Sequence, residues 1–394
     1  PEALRSRAVR DSEGPRTASR CTETRIPAMQ LTRMLVSGWA QLGPRFLPFA
    51  DAATPDLPLS RLLRLSLFQA SVGMALTLLV GTLNRVMIVE LHVSASLVAL
   101  MVALPVLYAP FRALIGFRSD THRSALGWRR VPFIWMGTLI QFGGLAIMPF
   151  ALLVLSGGGE AGAWPAWIGH AGAAIAFLMV GAGLHTVQTA GLALATDLAP
   201  PESQPRVVGL MYVMLLLGTI VSAVAFGAFL HDFSPGRLVQ VIQAAAVITL
   251  VLNTIAMWKQ ETRDPRRFSQ QQREPSFAEA WRVYIEGAGA RRRLLAIGIG
   301  TMAFAMQDVL LEPYGGQVLG MRVGETTWLT ATLAAGGLTG FSLASVVLGR
   351  GMDPARMSLA GAVIGLPAFA FVILAALIQS TPLFVAGALL IGLG

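Results

Sequence analysis

The chain has 394 residues, of which 54% are hydrophobic and only 13% charged. Soluble domains carry about 25% charged residues, so the composition excludes a soluble globular protein and points to one that crosses a bilayer many times. A formal net charge of +9 would suggest nucleic acid in a soluble domain; in a membrane chain it marks positive cytoplasmic loops, and nucleic acid is excluded as a partner. All the basic residues except Lys259 are arginine, which is read as the codon bias of a GC-rich genome. Cys21 is the only cysteine, which excludes a disulfide framework and a cysteine metal site.

In chain order, residues 1–28 are rich in Arg and Ser and have no apolar core of a signal peptide. They read as a non-native or disordered extension, with Met29 as the expected start. The segment 29–64 reads as a cytoplasmic N-terminal segment. Within it, Leu31, Met34, Leu35, Trp39 and Leu42 predict a short amphipathic helix on the membrane surface. A helix crossing the hydrocarbon core needs about 20 apolar residues. Ten apolar spans are predicted, at roughly 65–90, 94–115, 131–155, 167–193, 207–230, 238–258, 294–313, 326–349, 357–379 and from 382. The last ends inside an apolar run, so the sequence is expected to be truncated within span ten. No alternating pattern suggests a membrane barrel.

Charge alternates between the loops. Arg and Lys gather in 1–64, 112–130, 194–206, 259–293 and 350–356, whereas the opposite side holds only Arg85, Arg237 and Arg322. This places the N-terminus and the long 259–293 linker in the cytoplasm. Six spans (65–258), a basic linker and further spans (294–394) describe two joined halves. A weak internal repeat supports this: Gly116-x-x-x-Asp120 closes span two, and Gly349-x-x-x-Asp353 closes span eight. Parallel repeats of this kind relate the halves of major facilitator proteins, and on that plan the remainder of span ten and two more spans would follow.

The stretch GFRSDTHRSALGWRRVP, residues 116–132, resembles the gate loop of that superfamily, Gly-x-x-x-Asp-Arg-x-Gly-Arg-Arg. It supplies Gly116, Asp120, Gly127, Arg129 and Arg130, with four extra residues between the Asp and the second Gly. Gly116 is expected to let helices approach closely, Asp120 to face a helix N-terminus, and the arginines to hold carboxylates and lipid phosphates. Asp197 and Arg206, flanking the stiff DLAPPESQPR turn, are candidates for the same gate, with a plain turn as the alternative. The inserted run is expected to dock a cytoplasmic or lipid-surface partner through His122, Arg123 and Trp128.

The longer run ALIGFRSDTHRSALGWRRVPFIWMGTLIQFGGLAIMPFALLVLSG resembles the PucC/LhaA family, the bacteriochlorophyll delivery branch of the major facilitator superfamily. So do PRFLPFADAATPDLPLSRLLRLSLFQASVGM, GTLNRVMIVEL, HTVQTAGLALATDLAP and QDVLLEPYGGQVLGM, and together these cover about residues 30–394. The resemblance implies an all-α polytopic protein of two six-helix halves in the inner or intracytoplasmic photosynthetic membrane of a bacterium. It implies a factor that assembles light-harvesting antennae and handles bacteriochlorophyll as antenna polypeptides insert. The antenna polypeptides, the reaction-centre core and bacteriochlorophyll synthase are the partners it implies.

Three groups of residues invite chemistry. His185 in span four is a candidate axial ligand to the magnesium of bacteriochlorophyll, since neutral imidazole is a good metal ligand. Its small neighbours Gly181, Ala182, Gly183, Ala190 and Gly191 would leave room for a flat macrocycle, with Gln188 beside it. Alternatively, those small residues are helix-packing surface and His185 hydrogen-bonds a neighbour through Gln188 or Thr189. Arg85 in span one and Asp308 and Glu312 in span seven form an expected intramembrane charge cluster. Unpaired charges there would cost at least ~2.5–3.5 kcal/mol each, so Arg85 is expected to pair with one or both acids. The cluster would be a static clasp or, with a spare carboxylate, a proton-coupling site. Glu90 and His92 read as solvated. No enzyme signature is present, so no catalytic role is expected. The alternatives to antenna assembly are a proton-coupled transporter of an apolar or amphipathic solute and a structural chaperone without pigment. Mostly apolar midplane positions favour an apolar ligand over a hydrophilic one.

Overall fold

The computed structural model describes residues 52–54, 57–122, 124, 127–156, 165–262, 276–349 and 351–394. The expected extension 1–28, the surface helix near Trp39, Arg123 and linker positions 263–275 lie outside the described residues. Every regular element among those described is helical: α1 Leu59–Glu90, α2 Ala95–Thr121, α3 Val131–Leu155, α4 Ala166–Leu198, α5 Gln204–Phe229, α6 Pro235–Met257, α7 Phe277–Glu286, α8 Ala290–Val318, α9 Val323–Gly349, α10 Pro354–Leu377 and α11 Thr381–Leu393. Apart from α7, each falls on one of the ten apolar spans. Seven of them, α1–α6 and α10, are long and apolar enough to cross a membrane.

Several boundaries differ from the sequence reading. Helix α2 does not stop where the chain turns polar. It runs on to Thr121, so Gly116 and Asp120 are helical and only His122–Arg130 forms the connection. Backbone hydrogen bonds continue outside the hydrocarbon, and Arg118 and Asp120 are tolerated in an exposed final turn. The linker contains a helix of its own, α7, opened by a capping box between Ser276 and Glu279. In α1, Thr77–Leu83 and Val86–Glu90 are wound as π-helix on either side of Arg85. Such turns often mark functional positions, and no proline or motif forecasts them.

Helices α1–α6 form one body, with α1 packed on α4, α5 and α6, and α3 on α4 and α6. Its core gathers Leu62, Phe68, Leu78, Leu83, Met101, Ile134 and Phe177. A smaller core around Leu329, Phe384 and Ile391 joins α9 and α11 in the second body. Helix α9 also packs on α5 and α1, and α8 on α1, which joins the halves.

Lipid is as apolar as leucine, so close packing and polar contacts must bind these helices. A Cβ on Gly218 of α5 would lie 2.5 Å from Ala70 Cα of α1, and one on Gly144 of α3 would lie 2.8 Å from the Val180 nitrogen of α4. A polar relay adds to this: the Ser71 hydroxyl donates to Asn253 Oδ1 at 2.6 Å, and Asn253 Nδ2 donates to Thr138 Oγ1 at 3.0 Å. It fastens α1, α6 and α3 inside the first half.

Candidate functional site

The first-half residues expected to form a gate converge at the end of the bundle that carries the α2–α3 connection and the linker. Gly127 adopts φ of 75°, a left-handed turn that suits glycine, and delivers Arg129 and Arg130 to the start of α3. Arg130 is only 4% exposed. Its guanidinium ion-pairs with Asp120 of α2, meets Asp197 of α4 at 3.0 Å and donates to Ser119 Oγ at 2.6 Å. Arg129 ion-pairs with the same Asp197. Planar guanidinium suits such multi-point binding. Arg206 lies in the first turn of α5.

Glu261, which the sequence reading passed over, completes this network. Its Oε1 accepts from the Arg129 and Arg130 backbone N–H groups at 2.7 and 3.1 Å, and its Oε2 from those of Arg130 and Val131, both at 3.0 Å. These are the orphan donors of the α3 N-terminus, where the helix dipole favours an anion. The carboxylate expected at a helix N-terminus is therefore Glu261, while Asp120 serves the Arg130 side chain. The next residue back, Gln260, is fully buried and accepts from Arg61 Nε at 3.1 Å and Nη2 at 2.6 Å. The end of α6 is thus tied to both α3 and α1.

Two expectations about the repeat change. A Cβ on Gly116 would meet its nearest neighbour, Thr189 Cγ2, at 3.6 Å, which is ordinary contact and no close approach. Gly349 is the last residue of α9, and Asp353 lies beyond the helix, just before α10. The Gly-x-x-x-Asp string is therefore helical in the first half and split between helix end and connection in the second.

His185 lies midway along α4, half-buried. Its ring stacks on Tyr108 of α2 at 6.5 Å, and Tyr108 stacks on Phe111 at 5.4 Å. The Arg112 guanidinium and the Pro105 carbonyl lie near the imidazole. Arg112 Nε donates to Thr189 Oγ1 at 3.1 Å, and Thr189 donates to the His185 carbonyl at 2.7 Å. Tyr212 of α5, within electrostatic reach of Arg112, contacts Phe341 of α9 at 6.4 Å, so this constellation borders the second half. His185 Nδ1 is buried without a hydrogen-bond partner. Gln188 turns elsewhere and donates to Gln69 of α1 at 3.4 Å.

The small residues around His185 do not leave the room expected of them. A Cβ on Gly181 would sit 2.5 Å from Pro105, and one on Gly191 2.7 Å from the Phe68 ring; Gly183 abuts the Gln141 and Gly137 backbones. Ala190 is fully buried. Helix packing fills that face, and what adjoins the imidazole is the aromatic and cationic side formed by Tyr108 and Arg112.

At the opposite end, Arg85 is 3% exposed, ion-pairs with Glu90 and donates through Nη2 to the Met321 carbonyl at 3.0 Å. Glu90, expected to be solvated, is a partner because the π turns bring it beside Arg85. Glu312 is 2% exposed and accepts the Thr330 hydroxyl on Oε1, while its Oε2 has no partner. A Cβ on Gly81 would collide with Oε1, so α1 presses backbone against this carboxyl. Arg85 lies near enough to act on Glu312 through space, and Asp308's side chain lies outside the described residues. Near this end Trp328 Nε1 of α9 donates to the Val224 carbonyl of α5 at 3.3 Å. The halves are thus hydrogen-bonded to each other away from the linker. The groups of three or more metal-ligating side chains that would hold an ion are absent among the described residues.

Comparison with known proteins places this architecture. The family model described as PUCC protein matches residues 82–394. Protein PucC of Rhodovulum sulfidophilum is 63% identical over 368 residues, 93% of this chain and 81% of that protein. Protein PucC of Cereibacter sphaeroides is 58% identical over 354 residues, 90% of this chain and 77% of that protein. The bacteriochlorophyll synthase 44.5 kDa chain of Rhodobacter capsulatus is 28% identical over 272 residues, 68% of this chain and 60% of that protein. Among solved structures, a bacterial homologue of the human lysosomal transporter Spinster, inward-facing and unoccupied, superposes with a TM-score of 0.55 at 19% identity, over 84% of this chain and 72% of that one. That likeness shows the fold. The chain is a multi-pass membrane protein with the major facilitator fold, and it belongs to the PucC family.

Proposed function

We propose that this chain is an assembly factor for bacterial light-harvesting antennae, and that it binds bacteriochlorophyll while antenna polypeptides insert. It works in the photosynthetic inner membrane with its N-terminus in the cytoplasm. Its partners on this reading are antenna polypeptides, the reaction-centre core and bacteriochlorophyll synthase. The observation that supports pigment binding is His185. A buried imidazole nitrogen without a hydrogen-bond partner costs free energy, and it suits a magnesium ligand. Among the named residues His185 would hold the pigment, with Tyr108 offering a flat face beside it; Gln188, engaged with Gln69, would not. A bound pigment would supply light absorption, and the protein would supply the His185 imidazole as a nitrogen ligand and the Tyr108 ring as a stacking surface. No step is catalytic on this reading.

The test is to purify the full-length protein from a pigment-making host and record its absorption, with and without His185→Leu. Bacteriochlorophyll bands that vanish in the variant, with antenna assembly impaired, support the reading. Pure protein without pigment, together with normal antennae in His185→Leu cells, overturns it. One observation favours the second reading, a proton-coupled transporter of an apolar or amphipathic solute: Glu312 is buried between the halves with one oxygen unpartnered. Proton uptake by proteoliposomes that is lost in Glu312→Gln would decide for it.

A further inference from the structure

A half-open groove of about 700 Å³ lies on the linker side between α3 and α6, lined among others by Trp128, Val131, Trp135, Met257, Trp258 and Lys259. It is separate from the His185 constellation, and neither the gate network nor the proposed function accounts for its aromatic wall. Three of the chain's eight tryptophans meet in it. Trp135 is 41% and Trp258 61% exposed. Tryptophan settles where hydrocarbon gives way to headgroups, so the groove straddles the membrane boundary.

Its polarity is graded. On the α3 and α6 side, Trp135, Leu139, Val251 and Ile255 present exposed apolar surface, continuing from the groove along the two helices. At the rim stands Lys259, the only lysine of the chain. Its backbone has φ of 53°, the left-handed turn that ends α6 just past its C-cap Trp258. Glu261 shares the rim, but its two oxygens are taken by the α3 N-terminal N–H groups. Lys259 is thus the rim charge left to face a ligand.

We infer that this groove binds an anionic phospholipid, with its phosphate on Lys259 and an acyl chain against Trp135 and the α3–α6 face. Apolar wall, indole ring and ammonium succeed one another in the order of acyl chain, glycerol region and phosphate. A seated lipid would touch Trp128, which lies next to the gate arginine Arg129, and the segment ending in Glu261. It would therefore brace the α2–α3 connection against the start of the linker. The docking role that the sequence suggested for Trp128 is assigned here to lipid.

The test is to strip the purified full-length protein of lipid in detergent and titrate it with phosphatidylglycerol or phosphatidylcholine, counting bound lipids by native mass spectrometry. The wild type is expected to hold one phosphatidylglycerol more tightly than phosphatidylcholine. Lys259→Gln should weaken phosphatidylglycerol about fivefold, the contribution of one lysine at an anionic surface, and leave phosphatidylcholine unchanged. Lys259→Arg should restore selectivity, which also controls for misfolding, and Trp258→Ala should weaken both lipids. The inference is overturned if the wild type does not distinguish the lipids, or if Lys259→Gln binds phosphatidylglycerol as the wild type does. It is also overturned if cross-linking from Trp135→Cys in native membranes finds a second copy or another polypeptide in the groove.

Discussion

Arg130 and Arg85 are both almost wholly buried, at 4% and 3% exposure, yet they do different work. Arg130 draws α2, α3 and α4 together through Asp120, Ser119 and Asp197, all inside the first half. Arg85 uses Glu90, on its own helix, and the Met321 carbonyl, across the boundary to the second half. Its Nε finds no partner. The Arg130 site is saturated and so reads as structural. The Arg85 site is incompletely satisfied and sits where the halves must part if the molecule opens. A buried charge in a membrane protein is thus understood from which bodies its bonds connect, rather than from its depth.

Four experiments would break or sharpen this contrast. The largest effect is expected from Arg130→Met, which removes several charge-assisted hydrogen bonds worth about 1.5–3 kcal/mol each in general. A loss of roughly 2–3 kcal/mol is expected in denaturant unfolding of the first half, with discounting for the exposed side of Asp120. Next, Gly183→Ala should cost about 1–3 kcal/mol through overpacking, because its Cβ would strike the Gln141 backbone. Gly116→Ala should be neutral or stabilising by up to about 1 kcal/mol, as a helical glycine with room for a methyl. Equal losses at the two glycines would refute the contrast between the tight α3–α4 contact at Gly183 and the ordinary contact at Gly116.

Arg85→Met is expected to change unfolding of the first half by less than Arg130→Met. It should instead raise labelling of a cysteine placed at Gly316, which lies 3.2 Å from Arg85 Nε when given a Cβ. Unchanged labelling would mean that Arg85 is not part of the clasp. The smallest effect concerns Asp232, in the exposed α5–α6 connection. The hydrogen bond from His231, followed by Arg237, holds its carboxyl below the ordinary carboxylate range. A depressed folded-state pKa gives stability that is present above the unfolded value and lost as pH falls through the folded one. Asp232→Asn should therefore lower melting slightly at neutral pH, where that contribution is present, and converge with the wild type in the acid range.

The span positions were legible because hydrocarbon demands long apolar helices whatever their neighbours. The family was legible because long unusual strings such as HTVQTAGLALATDLAP survive as strings. Gly127, Arg129, Arg130 and Asp197 stood out as charges and glycine in an apolar chain. Glu261 did not, because its partners lie about 130 residues away and nothing near it in sequence marks it as a cap. The room imagined around His185 failed for the same reason. Gly181 and Gly191 are small in any reading, but only the approach of Pro105 and Phe68 decides whether smallness means space or contact.

The sequence by itself determined a polytopic helical protein of two halves, its charged connections, and its kinship with the PucC family. Those properties follow from composition, hydrophobic length and local strings, which need no partner. Only the tertiary structure decided that Glu261 caps α3, that Glu90 answers Arg85, and that Trp128, Trp135 and Trp258 share one groove with Lys259. Each depends on bringing distant segments within a few ångströms, and hydrogen bonds and ion pairs act only at that range.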